Sequence, residues 1–207
     1  MKILVIGATG MIGSRVVAEA ARRGHELTAA SRSGTSVQGA ANAATLQLGD
    51  TAAVCAGIEA FDATVISVPP DRSGGSHEPI LKAHRDLIAA RPRGRFLVVG
   101  GAGSLEVDGT RLKDMPGFPP AYYNESDTFS TVLDLYRASS GLDWTMLSPA
   151  PEIAPGNRTG AYKVGLDSPA GDAISAEDFA VALVDELEKP AHAHARFTVA
   201  NQTVQSG

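Results

Sequence analysis

Gly7, Gly10 and Gly13 stand three residues apart, directly after the apolar run Ile3-Leu4-Val5-Ile6. Glycines so placed let a chain leave a strand in a tight turn, bring its main chain against a phosphate, and start a helix close to the sheet. The N–H groups of that first helical turn, with the positive end of the helix dipole, can hold an anion. The segment Gly7-Ala8-Thr9-Gly10-Met11-Ile12-Gly13 is therefore expected to bind the pyrophosphate of a dinucleotide. The alternative is an ordinary strand-to-helix turn with no ligand.

A dinucleotide lies across the carboxyl ends of parallel strands. Here those ends read Ser31-Arg32-Ser33, Asp50, Val68-Pro69, Gly100-Gly101 and Pro149-Ala150-Pro151, and all are expected to line the cofactor. An acid after the second strand would accept from the ribose 2′-hydroxyl of NAD. This chain has Arg32 between two serines instead, which suits a 2′-phosphate, so NADP(H) is favoured over NAD(H). A solvated arginine that reads neither cofactor is the bland alternative. Asp50 has two readings, acceptor from the adenine amino group or helix cap.

The elements that must position these residues alternate between strand and helix patterns, which predicts a doubly wound α/β parallel sheet, the Rossmann arrangement. Strands are expected at Glu26 to Ala30, Thr45 to Leu48, Ala63 to Val68, Arg95 to Val99, Leu142 to Leu147 and Ala195 to Ala200. Helices are expected at Ser14 to Arg23, Glu78 to Arg91, Tyr122 to Ser140 and Ser175 to Glu188, with a short one at Ala52 to Ala56. Residues from about 149 to 172 show no period and are expected to cross the top of the sheet as a substrate-side lid, a small C-terminal cap.

The 207 residues suit one domain, 1–207. A net charge of −5 without a basic block argues against nucleic acid as a partner, and no apolar run reaches membrane-spanning length. The glycines interrupt the first apolar stretch too early for a signal peptide. Cys55 is the single cysteine, which excludes an internal disulfide and fits a cytoplasmic location. His192 and His194 lack a third ligand, so no metal is expected. The expected partner is a small-molecule substrate, the expected assembly a monomer or homodimer.

Beyond the glycine turn, Val99-Gly100-Gly101-Ala102-Gly103-Ser104-Leu105, Leu142-Asp143-Trp144-Thr145, Ser148-Pro149-Ala150 and Ile174-Ser175-Ala176-Glu177-Asp178-Phe179-Ala180 resemble the atypical short-chain dehydrogenase/reductases. The likeness is to the NmrA-like, NADH-flavin reductase-like and epimerase/dehydratase-like members. It implies the Rossmann fold and an NAD(P)H-dependent chemistry. The superfamily's catalytic pair is Tyr-x-x-x-Lys. Here Tyr122 is followed four residues on by Ser126 and Tyr123 by Asp127, so that pair is missing. The resemblance leaves Ser104 as a substrate-orienting hydroxyl, with Tyr122 and Tyr123 as pocket residues. It implies a reductase passing hydride from NADPH to a small quinone, flavin or carbonyl compound. The alternatives are a non-catalytic NADP(H) sensor of the NmrA-like type and a sugar epimerase/dehydratase.

Overall fold

The computed structural model describes residues 1–201; the last six of the expected domain lie outside them. The chain opens with β1 (Lys2–Ile6), buried from Ile3 onward because it is covered on both faces, the condition under which a strand reads as an unbroken apolar run. The glycine turn leads into α1 (Met11–Arg22), then β2 (Glu26–Ser31), β3 (Asn42–Thr45), α2 (Thr51–Ala60), β4 (Ala63–Ile66), α3 (Glu78–Ala90) and β5 (Arg95–Val99). A two-stranded hairpin, β6 (Glu106–Val107) and β7 (Thr110–Arg111), precedes α4 (Pro120–Arg137) and β8 (Asp143–Pro149). The chain closes with β9 (Glu152–Ala154), β10 (Tyr162–Gly165), β11 (Ala173–Ser175), α5 (Ala176–Glu188) and β12 (Ala195–Asn201).

Eight strands form one sheet in the order β10-β12-β8-β5-β4-β1-β2-β3, parallel throughout except for β10, which runs antiparallel to β12. The winding reverses between β1 and β4, so the crevice at their carboxyl ends is where this fold takes a ligand. Helices α1 and α5 cover one face over a core that includes Val16, Val17, Phe179 and Leu183. Helices α2, α3 and α4 cover the other over Ile58, Leu87, Phe96, Leu133 and Tyr136. The expected doubly wound sheet is thus the observed one.

Three expectations need correction. The third strand is Asn42–Thr45, not Thr45 to Leu48. It is an exposed edge strand with no apolar pattern of its own. Its place is set by pairing with β2, and Leu48 beyond it is buried against the second core. Helix α2 runs to Ala60, capped by Asp50, although its Ala- and Gly-rich sequence suggested five residues. The crossing segment is not aperiodic: β9 and β11 form a small parallel ribbon, and β10 completes the sheet edge. Strands of three or four residues that pair with distant partners carry too little period to be read from sequence.

Candidate functional site

The turn between β1 and α1 separates three glycine roles. Gly7 has φ of +85°, and a Cβ there would sit 2.1 Å from the Ser67 carbonyl oxygen. A Cβ on Gly13 would sit 2.2 Å from the Gly7 carbonyl oxygen, so both glycines are demanded by the fold. Gly10 differs. A Cβ there would meet only the Gly7 oxygen, at 3.3 Å, so no side chain of the protein requires it to be bare. Gly10 is also the N-cap of α1 and supplies no side-chain cap. The N–H groups of Met11, Ile12 and Gly13 make no hydrogen bond among the described residues, while Ser14 N–H already donates to the Gly10 carbonyl. Three free donors at a positive helix end, with space above the Gly10 Cα, fit a diphosphate.

The strand ends around this turn hold the other expected cofactor residues. At the end of β2, Ser31 is buried and its hydroxyl accepts from Thr35 N–H. The Ser33 and Thr35 hydroxyls lie 2.7 Å apart. This chain of hydroxyls shapes the turn and leaves Arg32 exposed, with no hydrogen bond to the described residues. Asp50 caps α2 by accepting from Ala53 N–H at 3.1 Å, the second of its two readings. Ala8 and Ala150 are buried; Pro149, the last residue of β8, and Pro151 follow the same rim. Gly100 and Gly101 close β5, and Gly101 faces Phe129 of α4, to which a Cβ would approach within 3.2 Å.

Two rims rise above these ends. The one on the α1/α5 face is built by residues 150–160. Arg15 on α1 donates to Glu177 at 2.6 Å and to the Met11 carbonyl at 2.8 Å, and Glu177 also accepts from Gly156 N–H. The fully buried Asp178 carboxylate accepts from Thr159 N–H, Gly160 N–H, the Thr159 hydroxyl and the Asn201 amide. Glu19 accepts from Nε and Nη2 of Arg158, and from Arg22 and Arg23 as well. Burial alone would raise the pKa of these carboxylates. The arginine, amide and hydroxyl donors outweigh it, and Glu19, Glu177 and Asp178 are all held below the usual carboxylate range.

The opposite rim, on the α3/α4 face, consists of residues 69–77 and the first turns of α4. Tyr122 lies seven residues before Phe129 on the same helical stripe. That places it about 10 Å above the point where Phe129 meets Gly101. The residue is 64% exposed. Tyr123 points elsewhere: its ring sits under Lys113, with Nζ 5.3 Å from the centroid, and Lys113 is held by Asp114 and Asp127. Arg72 joins the loop to α4 through two bonds to Glu125, at 3.0 and 2.6 Å. His77, whose Nε2 donates to the Asp71 carbonyl, also meets the Thr128 hydroxyl at 2.7 Å. Ser104 is engaged within the protein. Its buried hydroxyl donates to the Gly101 carbonyl and accepts from the buried Arg196, whose guanidinium also binds Asp167.

A family model described as NAD(P)H-binding matches residues 7–190. The chain belongs to this NAD(P)H-binding family. Its relatives include the uncharacterized protein YwnB of Bacillus subtilis, 39% identical over 98% of this chain and 99% of that protein. A provisionally named NADH-flavin reductase of Streptococcus pneumoniae is 34% identical, with a TM-score of 0.84 over 98% of this chain and all of its own. A provisionally named exported protein of Burkholderia pseudomallei is 38% identical, with a TM-score of 0.84 over 97% of this chain and 99% of that one. The likeness to these relatives extends over nearly the whole chain.

Sequence reasoning missed Arg15, Arg72, Asp178 and Arg196. Ser175 to Asp178 has capping-box spacing, and half of the box forms: the Ser175 hydroxyl accepts from Asp178 N–H at 3.0 Å. The Asp178 carboxylate goes to the crossing segment instead. No helix of the described residues is long and apolar enough to cross a membrane, and no group of three metal-ligating side chains occurs among them.

Proposed function

We propose that this protein is an NADP(H)-dependent reductase that passes hydride to a small quinone, flavin or carbonyl acceptor. The observation that supports it best is the pairing of three unpartnered N–H donors with the side-chain-free approach at Gly10. A nicotinamide dinucleotide bound there supplies hydride chemistry. The protein's own part is to fix that cofactor's phosphates on α1, to accept a 2′-phosphate at Arg32, and to hold an acceptor between the two rims. The acceptor takes one hydride and one proton. The chain has no Tyr-x-x-x-Lys pair and the Ser104 hydroxyl is engaged by Arg196, so water is assigned as the proton source.

Titration of the purified protein with NADPH and NADH tests the reading. NADPH is expected to bind roughly tenfold more tightly, and Arg32→Ala to erase the difference. Gly10→Ala is expected to weaken both cofactors roughly tenfold with little change in melting temperature. Binding of neither cofactor overturns the proposal. Equal binding removes only the role of Arg32. The occupied Ser104 hydroxyl also favours a second reading, a redox sensor. Consumption of NADPH with quinone, flavin and aldehyde acceptors separates the two, because a sensor binds both redox forms and turns over neither.

A further inference from the structure

The α3/α4 rim carries a charge pair that the dinucleotide does not need. The Arg72 side chain, 66% exposed, grips Glu125 with the two-pronged geometry by which a guanidinium holds any carboxylate or phosphate. Its exposure makes exchange of partners inexpensive, since a solvated ion pair is worth little. The neighbouring charges are already engaged. Asp71 accepts from Ser73 and Gly75, and Lys113 is held between Asp114 and Asp127. Glu125 stands four residues before Phe129, about 6 Å above the floor of the crevice, and Tyr122 stands higher on the same helix. A planar acceptor lying on the strand ends under Tyr122 would carry a short side arm to the level of Arg72.

We propose that Arg72 is a specificity-determining residue that docks an acid group, carboxylate or phosphate, on the acceptor, and that Glu125 holds Arg72 in place until that group displaces it. This rests on the reductase reading above. The full chain, saturated with NADP⁺, is titrated calorimetrically with two ligand pairs. FMN against riboflavin reads phosphate; 4-carboxybenzaldehyde against benzaldehyde reads carboxylate. The acid member of at least one pair is expected to bind roughly tenfold more tightly, with the preferred pair naming the acid. Arg72→Ala should remove that preference and leave the neutral member unchanged. Glu125→Gln, which weakens the competitor, should tighten the acid member several-fold.

No acid preference in either pair, no binding of any of the four, or a preference that survives Arg72→Ala overturns the proposal. These results with NADP⁺ still bound leave the cofactor reading intact. Failure of NADP⁺ to bind overturns that reading and this proposal with it.

Discussion

The two rims of the crevice are built from opposite kinds of electrostatics. On the α1/α5 side, buried carboxylates gather several donors each: Asp178 is fully buried with four, and Glu19 is 5% exposed among three arginines. On the α3/α4 side the corresponding tie is one exposed ion pair, Arg72 to Glu125, with the His77 contacts. A buried ion with all its hydrogen bonds made cannot let go without leaving an uncompensated charge, whereas an exposed pair exchanges its partner for water at almost no loss. The first rim is a fixed wall against which phosphates can be placed. The second can change its partner at little cost. The expected substrate-side lid, residues 149–172, lies on the side tied from within, whereas residues 69–77 carry the exposed tie.

The largest test of this contrast is Asp178→Ala. Removing a buried carboxylate that satisfies four donors should cost about 4 kcal/mol in urea unfolding. It should also speed hydrogen exchange at Thr159 and Gly160. A loss below 1 kcal/mol would mean that the wall is not held from within.

Acid should separate the two sides next. His84 on α3 is fully buried, with Nδ1 2.9 Å from the Tyr136 hydroxyl, and burial pushes its pKa down to about 4 from 6.5. The folded protein thus binds fewer protons than the unfolded chain between those values. The stability this gives is complete above pH 6.5 and is lost as pH falls toward 4, by about 3 kcal/mol in all. The carboxylates of the α1/α5 wall, depressed below their ordinary range, keep their charge through that window, and their contribution starts to fall only below the ordinary carboxylate pKa, 4.5 for Glu19. His84→Leu should flatten stability between pH 6.5 and 4. An unchanged acid limb in denaturant melts would remove His84 from the account.

Arg72→Ala should do least to stability, below about 0.5 kcal/mol, because the pair is solvated. Faster exchange confined to residues 71–77 is the expected sign that the tie was local. A loss above 2 kcal/mol would make this rim as fixed as the other and end the comparison.

Much of this was legible in the sequence. A central parallel strand must be apolar on both faces, so β1, β4 and β5 announced themselves, and the glycine turn followed from spacing. Arg32 and its serines were visible for the same local reason: a residue directly after β2 stands at the strand's carboxyl end whatever else the fold does. The edge strands β3 and β10 were not visible, because their position comes from a partner far along the chain.

What the sequence alone determined is therefore the glycine turn and the alternation of the central strands with their helices, since both depend on patterns within a dozen residues. Only the tertiary structure decided that the fold demands Gly7 and Gly13 and leaves Gly10 room for a Cβ. It alone turned Ser104 toward Arg196, set Asp178 against Thr159 and joined Arg72 to Glu125. Each of these pairs is separated by 18 residues or more, and the choice of partner is made by the sheet order that brings them together.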